Sequence, residues 1–481
     1  MNKRVVALLT SHLLFLVAAP MLLPMILAIV DRQLRSAVAY GASAVATALT
    51  AGVLRYIGRK APNVLHRKDA LGVVALTWIC LGVFGAVPFL LEGSIRHPAS
   101  AVFEAVSGFT TTGATVVGDV DGLSRATNLW RCMIHWIGGM GIVVLFVAVF
   151  PQLGVGAKHL FRTEVPGPIT EGLRPKIKQT ALSLWWIYAA LTALATGLLV
   201  VAGMPLYDAI CHAFSTLGTG GFSTRGASVG AYNNASVDWI ITGFMLLAGL
   251  NFGLFYSAIK GRPSELFTNY EVRFYMLVNV VAIGIVMWSI RDRHPDLLTA
   301  LRFASFQTAA VTTTTGFMTE DFDTYPNVAR FTLFLAMFMG ACAGSTAGGI
   351  KASRVYALLK LVGKELRAVV QPSAVVAIRF GKTAVQASVL HEIAVYVTTF
   401  MLIFAASSLI MVALGLDLLS AMSSVVACLS SVGPGLGSVG PSMTYEPIPP
   451  IGKLVLTFCM IAGRLEIFAL LAIFSPAVWR R

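Results

Sequence analysis

Ser107-Gly-Phe-Thr-Thr-Thr-Gly-Ala-Thr115 is a polar, glycine-bearing stretch set among apolar runs. Three further stretches resemble it: Phe214-Ser-Thr-Leu-Gly-Thr-Gly-Gly-Phe-Ser-Thr224, Ala310-Val-Thr-Thr-Thr-Thr-Gly-Phe-Met-Thr319 and Leu429-Ser-Ser-Val-Gly-Pro-Gly-Leu-Gly437. Aligned on Gly113, Gly221, Gly316 and Gly433, the copies lie 108, 95 and 117 residues apart. Each follows an apolar span and a short amphipathic segment, at 98–108, 204–216, 297–310 and 416–430, and each precedes another span. The order span, short helix, loop, span is kept four times. Such an internal repeat governs the fold assignment before any other signal.

The surrounding chain is that of a polytopic membrane protein. Of its 481 residues 57% are hydrophobic and 12% charged, with mean hydropathy +0.78. Soluble domains carry roughly 25% charge. A secreted domain, a disordered scaffold and a soluble nucleic-acid binder are therefore excluded. Apolar windows at 5–30, 36–57, 70–91, 128–150, 182–203, 236–259, 273–290, 328–361, 390–415 and 452–477 predict ten helices. The first window has no small-residue cleavage site and is long enough to span, so it reads as a retained helix. The predicted class is an all-α membrane protein. An extra N-terminal helix pair (1–68) precedes four pseudo-repeated units around one pore: 69–181, 182–270, 271–385 and 386–481, the third with a broken second helix.

An even number of spans puts both termini on one side. The N-terminus, 55–69, 151–181, 260–273, 351–390 and the C-terminus hold 24 of the 36 Lys and Arg residues. By the positive-inside bias both termini are cytoplasmic. This asymmetry also accounts for the net charge of +14, with no need of a nucleic-acid surface. The run Glu320-Asp321-Phe322-Asp323 falls outside, either gathering cations or as an ordinary solvated loop. The six cysteines form no CxxC and the histidines show no ligand spacing. There is no Ser/His/Asp set, P-loop or nucleotide fingerprint. The chain is expected to be no enzyme and to bind no nucleotide itself.

Loop backbone at membrane depth must line protein or water, because lipid cannot satisfy its N–H and C=O groups. Four such loops fit best around a common axis. The short helix before each would aim its C-terminal partial negative charge at the centre, favouring a cation. Glycine lets a carbonyl turn toward the axis, and Thr and Ser add hydroxyl oxygens. Rings of such oxygens replace the hydration shell of a large monovalent cation. The absence of carboxylates argues against a divalent ion. Close helix packing is the competing use of small residues.

Two other places carry chemistry. Gly340-Ala-Cys-Ala-Gly-Ser-Thr-Ala-Gly-Gly-Ile-Lys351 interrupts a window too long for one straight crossing. Glycine in a helix costs about 1 kcal/mol relative to alanine. The stretch reads as a break with a mobile loop under the filter, or as close helix packing. Arg464 and Glu466 sit in the last window, in Gly463-Arg-Leu-Glu-Ile467, where charge is costly and usually functional. Arg464 would face the pore as a barrier to cations, unless it forms an ion pair with another repeat. Glu104 and Asp208 fall in pore half-helices; Asp208 and Asp417 are expected to satisfy helix N-termini.

Taken together, these motifs and Arg162-Thr-Glu-Val-Pro-Gly-Pro168 resemble the Trk/Ktr/HKT superfamily of potassium transporters, over essentially the whole chain. The N-terminal pair suits its TrkH branch. The resemblance implies a K+ filter of Thr111, Thr112, Gly113, Thr219, Gly220, Gly221, Thr314, Thr315, Gly316, Ser431, Val432 and Gly433. It implies a gate of Gly344, Ser345, Thr346, Ala347, Gly348, Gly349, Lys351 and Arg464. K+ would be the only metal. Plant relatives with serine at the first filter glycine carry sodium, so Gly113 favours potassium. Val432-Gly-Pro-Gly435 departs most from Thr-x-Gly. The resemblance further implies a homodimer in a bacterial inner membrane, and a TrkA-like cytosolic regulatory ring binding NAD(H), ATP or ADP. The competing readings are a Na+- or H+-coupled K+ symporter of the same fold, an intramembrane enzyme and a structural anchor. The filters lack the ionisable residue a coupled carrier usually uses.

Overall fold

The computed structural model describes residues 2–62, 66–139, 176–372, 377–381 and 383–474. The expected motif at 162–168 lies outside these residues. The architecture is helical; among the described residues a single two-stranded hairpin pairs Arg379 with Ala384 and Phe380 with Thr383. Helices α1 (Lys3–Ala18) and α2 (Leu22–Val30) pack on α3 (Leu34–Gly58). The predicted run 5–30 is interrupted between α1 and α2, where Pro20 has no N–H to donate.

Four units follow. The first is α4 (Arg67–Glu92), α5 (Pro98–Phe109) and α6 (Arg125–Gly139). The second is α7 (Lys176–Val201), α8 (Leu206–Gly218), α9 (Ala235–Ala248) and α10 (Phe252–Ile259), joined by α11 (Ser264–Thr268) to the third. The third is α12 (Tyr270–Ile290), α13 (Leu297–Thr312), α14 (Asn327–Phe338) and α15 (Ala352–Val370). The fourth is α16 (Ala387–Ala413), α17 (Leu418–Leu429), α18 (Pro450–Arg464) and α19 (Phe468–Phe474).

Within each unit the short helix packs against both neighbours, and the next helix crosses to the following unit's short helix. Thus α6 packs on α8, α9 on α13, α14 on α17, and α18 returns to α5. The fourth unit closes on the first. Local chemistry starts the short helices. Pro98 opens α5, and Pro205 precedes α8. The Asp296 and Asp417 carboxylates accept from Thr299 N (2.7 Å) and Ser420 N (3.1 Å). These bonds, with the Thr299 and Ser420 hydroxyls, hold both carboxyls below their ordinary pKa. The short helices occupy the centre, where Phe103, Phe109, Phe306 and Val425 are fully buried. Inside a lipid shell that burial stabilises through dispersion and fit.

With α1 and α2 taken as one span, six described spans are long and apolar enough to cross a membrane, or seven if α9 and α10 also count as one. Besides the first, three more of the predicted windows are broken among the described residues. Window 236–259 bends by 92° between α9 and α10, where Asn251 caps a new helix by accepting from Gly253 N at 2.8 Å. Window 328–361 stops at Phe338 and resumes at Ala352. Window 452–477 breaks after Arg464, because Glu466 and Ile467 take left-handed φ of +54° and +59°.

Candidate functional site: a ring of four loops

Each short helix ends in the same way. The residue after its last turn is left-handed: Thr111 (φ +56°), Thr219 (+53°), Thr314 (+56°) and Ser431 (+60°). The following N–H reaches back five residues, Thr112 to Ser107 O, Gly220 to Ser215 O, Thr315 to Ala310 O and Val432 to Ala427 O, each at 2.8 Å. The left-handed residue donates three residues back, to Gly108, Thr216, Val311 and Cys428. These are four Schellman caps, with Thr or Ser where glycine is usual. Left-handed backbone costs an L-residue about 1 kcal/mol or more, so the surroundings must impose it.

Two residues further on, Gly113 (φ +79°), Gly221 (+79°), Gly316 (+73°) and Gly433 (+97°) are also left-handed. Left-handed residues on both sides of a negative-φ residue turn successive carbonyls the same way, instead of alternately as in a strand. A side chain at these glycines would also collide with a neighbouring loop. A Cβ on Gly113 would strike Gly220 O, one on Gly221 Thr315 O, one on Gly316 Val432 O and one on Gly433 Thr112 O. The collisions run from loop one to two, three, four and back to one. The structure therefore closes eight of the twelve predicted filter residues into one ring of backbone contacts, with Thr111, Thr219, Thr314 and Ser431 preceding them in each loop. None of the twelve is a carboxylate, and the hydroxyl-bearing ones are fully buried.

One face of the ring opens on a cavity of about 80 Å³ lined by Gly113, Gly221, Gly316 and Gly433, with Arg131, Arg225 and Tyr445 among its walls. Tyr445 Oη donates to Gly433 O at 2.7 Å and anchors the atypical fourth loop. Glu104, within α5, accepts from Val116 N (2.8 Å) and the Thr115 hydroxyl (2.9 Å) and pairs with Arg131 Nε at 2.9 Å. Both side chains are buried. Neither Arg131 nor Tyr445 was among the sequence candidates. Arg131 carried a usable signal: it is a basic residue in window 128–150, and buried Glu104 needs an opposite charge. Asp208 departs from expectation. It caps no helix but accepts from Thr224 Oγ1 at 2.7 Å and pairs with Arg225 at 3.4 Å, so it anchors the segment leaving the second loop.

The other face meets the loop at residues 339–351. Gly348 N donates to Thr314 Oγ1 at 2.8 Å, and a Cβ there would strike Ser430 O. The loop is tied down elsewhere too. Cys342 N donates to Gly249 O and Phe252 N to Gly344 O, both at 3.0 Å, where α9 bends into α10. Glu271 accepts from Ala343 N and Ser353 N at 2.7 and 3.1 Å, and Lys351 Nζ donates to Ala347 O. Ser345 Oγ donates to Cys342 O at 2.6 Å, and Gly349 is left-handed.

Arg464 completes this face. Its Nη1 donates to Thr111 Oγ1 (3.2 Å) and Thr346 O (2.8 Å), and its Nη2 to Gly138 O (2.5 Å) and Gly139 O (3.1 Å). The ion pair between repeats belongs to its neighbour instead, as Glu466 meets Arg354 at 2.6 Å. A fixed positive charge thus touches the hydroxyl of the first loop and the carbonyl of the interrupting loop together. Backbone closeness makes this possible: a Cβ on Gly463 would strike Leu429 O and one on Gly138 would strike Phe109 O. Those two carbonyls sit at the same place, four residues before Gly433 and Gly113.

The TrkH family profile, described as "Cation transport protein", matches residues 39–481. A Trk system potassium uptake protein TrkH of Halomonas elongata is 38% identical over 437 residues, covering 89% of this chain and 90% of its own length. Its counterpart in Escherichia coli is 37% identical over 486 residues, with both chains fully covered. The crystal structure of the potassium transporter TrkH from Vibrio parahaemolyticus superposes with a TM-score of 0.90 at 32% identity, covering 100% of both chains.

Proposed function

The chain belongs to the TrkH family of cation transport proteins, and on that premise we propose that it takes up potassium through a K+-selective, channel-like pore. The observation that carries this reading is the ring: four Schellman-capped loops closed by backbone contact, with carbonyls and hydroxyls and no carboxylate. Potassium is the transported substrate. The partial negative ends of α5, α8, α13 and α17 offset the cost of bringing it into a low-dielectric centre. Filter oxygens then replace its water. The cavity faces the outside, and the 339–351 loop and Arg464 close the cytoplasmic side as the gate. The bacterial inner membrane, cytoplasmic termini, a homodimer with one pore per subunit, and gating by a TrkA-like nucleotide-binding ring complete the proposal.

The test is rubidium-86 uptake into liposomes holding the purified protein, with sodium as competitor and the sodium and pH gradients varied independently. Uptake that favours K+ and Rb+ over Na+ and ignores both gradients is expected. Uptake that needs a sodium or proton gradient would overturn channel-like conduction in favour of coupled symport.

A further inference from the structure

The second filter loop lacks side chains that the others use. In loop one, Thr110 and Thr112 flank the left-handed residue and their hydroxyls meet at 2.8 Å. In loop three, Thr313 and Thr315 do the same, also at 2.8 Å. Loop four has Ser430 and Val432 there, both fully buried. Loop two has Gly218 and Gly220. The missing volume is filled from the neighbouring unit by His135 of α6. A Cβ on Gly220 would collide with the imidazole, and one on Gly218 would lie 2.6 Å from His135 O. The imidazole is fully buried, lies tilted against Phe222 at 4.2 Å between centroids, and has Nδ1 2.7 Å from Gly108 O near the end of α5. With a carbonyl as its partner, Nδ1 carries the proton.

We propose that His135 is a positioning residue for ion selectivity, the wedge that holds the second filter loop in place instead of its own absent side chains. The inference rests on the potassium-pore reading. Loops one, three and four carry their wedges in their own sequence, and loop two borrows one across the unit boundary. Gly220 and His135 are thus two halves of one packing solution.

The experiment measures the Rb+/Na+ uptake ratio and melting temperature of reconstituted full-length protein. His135→Ala should lower the ratio at least fivefold while uptake continues. Gly220→Thr alone should lower it as well, because the added side chain meets the imidazole. The double variant His135→Ala/Gly220→Thr should recover most of the ratio, since the opened space accepts the threonine as in loops one and three. His135→Phe, which keeps a ring in place without the Gly108 bond, should stay within about twofold of wild type. An unchanged ratio in His135→Ala overturns the proposal. So does a double variant no better than His135→Ala, or a folded His135→Phe as unselective as His135→Ala. A wild-type protein without K+ preference would defeat the potassium-pore reading itself, before any variant is compared.

Discussion

Arg464 offers the most direct test of how the ring is closed. Its Nη1 lies 3.2 Å from Thr111 Oγ1, so a cation on that hydroxyl would sit about 6 Å from the guanidinium charge. With an effective dielectric of about 20, the repulsion is about 3 kcal/mol, or roughly two decades in occupancy. Solvent and pore ions reduce this, so Arg464→Ala is expected to raise potassium uptake about tenfold or more at low substrate. Two further variants separate charge from hydrogen bonding. Arg464→Lys keeps the charge but cannot reach Thr111, Thr346, Gly138 and Gly139 together. It should stay near wild-type flux, and Arg464→Gln should resemble alanine. Flux is measured by rubidium uptake at matched protein incorporation. Unchanged uptake in a well-folded Arg464→Ala would refute the barrier, leaving Arg464 a strut between the loop at 339–351 and α6.

Other perturbations have equally definite outcomes. Gly113→Ser places a Cβ against Gly220 O on left-handed backbone, and should loosen K+ over Na+ discrimination in competition uptake; full retention would count against the filter assignment. Excising residues 344–348 removes the Gly348 contact with Thr314 and should raise basal flux; a fully closed protein would mean that the loop supports the ring. Glu466→Gln and Arg354→Gln each remove a charged hydrogen bond worth about 1.5–3 kcal/mol. Both should lower the melting temperature, and additive losses in the double variant would dismiss the pair as a unit. Asp417→Ala should destabilise α17 at neutral pH. Because the folded Asp417 carboxyl titrates below its ordinary range, its contribution is present above the unfolded pKa and lost as pH falls through the folded one. The gap in melting temperature from wild type should therefore narrow on acidification.

The repeat was legible because it rests on spacing. Gly113, Gly221, Gly316 and Gly433 stand where a Cβ would strike the next loop, so the one residue without a Cβ marks each quadrant. Short-helix bounds were legible for a similar reason, through Pro98, Asp296 and Asp417 at their starts. What the sequence hid depends on pairs far apart in the chain. Thr111 gives no sign of left-handed backbone, since threonine ordinarily avoids it. Asp208 looks like a helix cap, yet its partners Thr224 and Arg225 lie beyond the second loop. Of the breaks in the apolar windows, the one at 340–351 was legible from its four glycines, whereas the bend at Asn251 and the stop of α18 at Arg464 were not. Only the hydrogen bonds of Arg464 and the ion pair of Glu466 show why that helix stops there.

Closure of the ring within one chain has a consequence for how such a protein can change over time. In an assembly of four identical subunits, every substitution strikes all quadrants at once, and the ring has four-fold symmetry to lose. Here each quadrant is encoded separately, and they already differ: a threonine pair, a borrowed imidazole, a second threonine pair, and a serine with a valine. On the proposed potassium-pore reading, a single codon change therefore samples a quarter-step in the coordination of the ion. Ion preference can drift by small increments, and one quadrant can take on a specialised duty while the other three hold the shape.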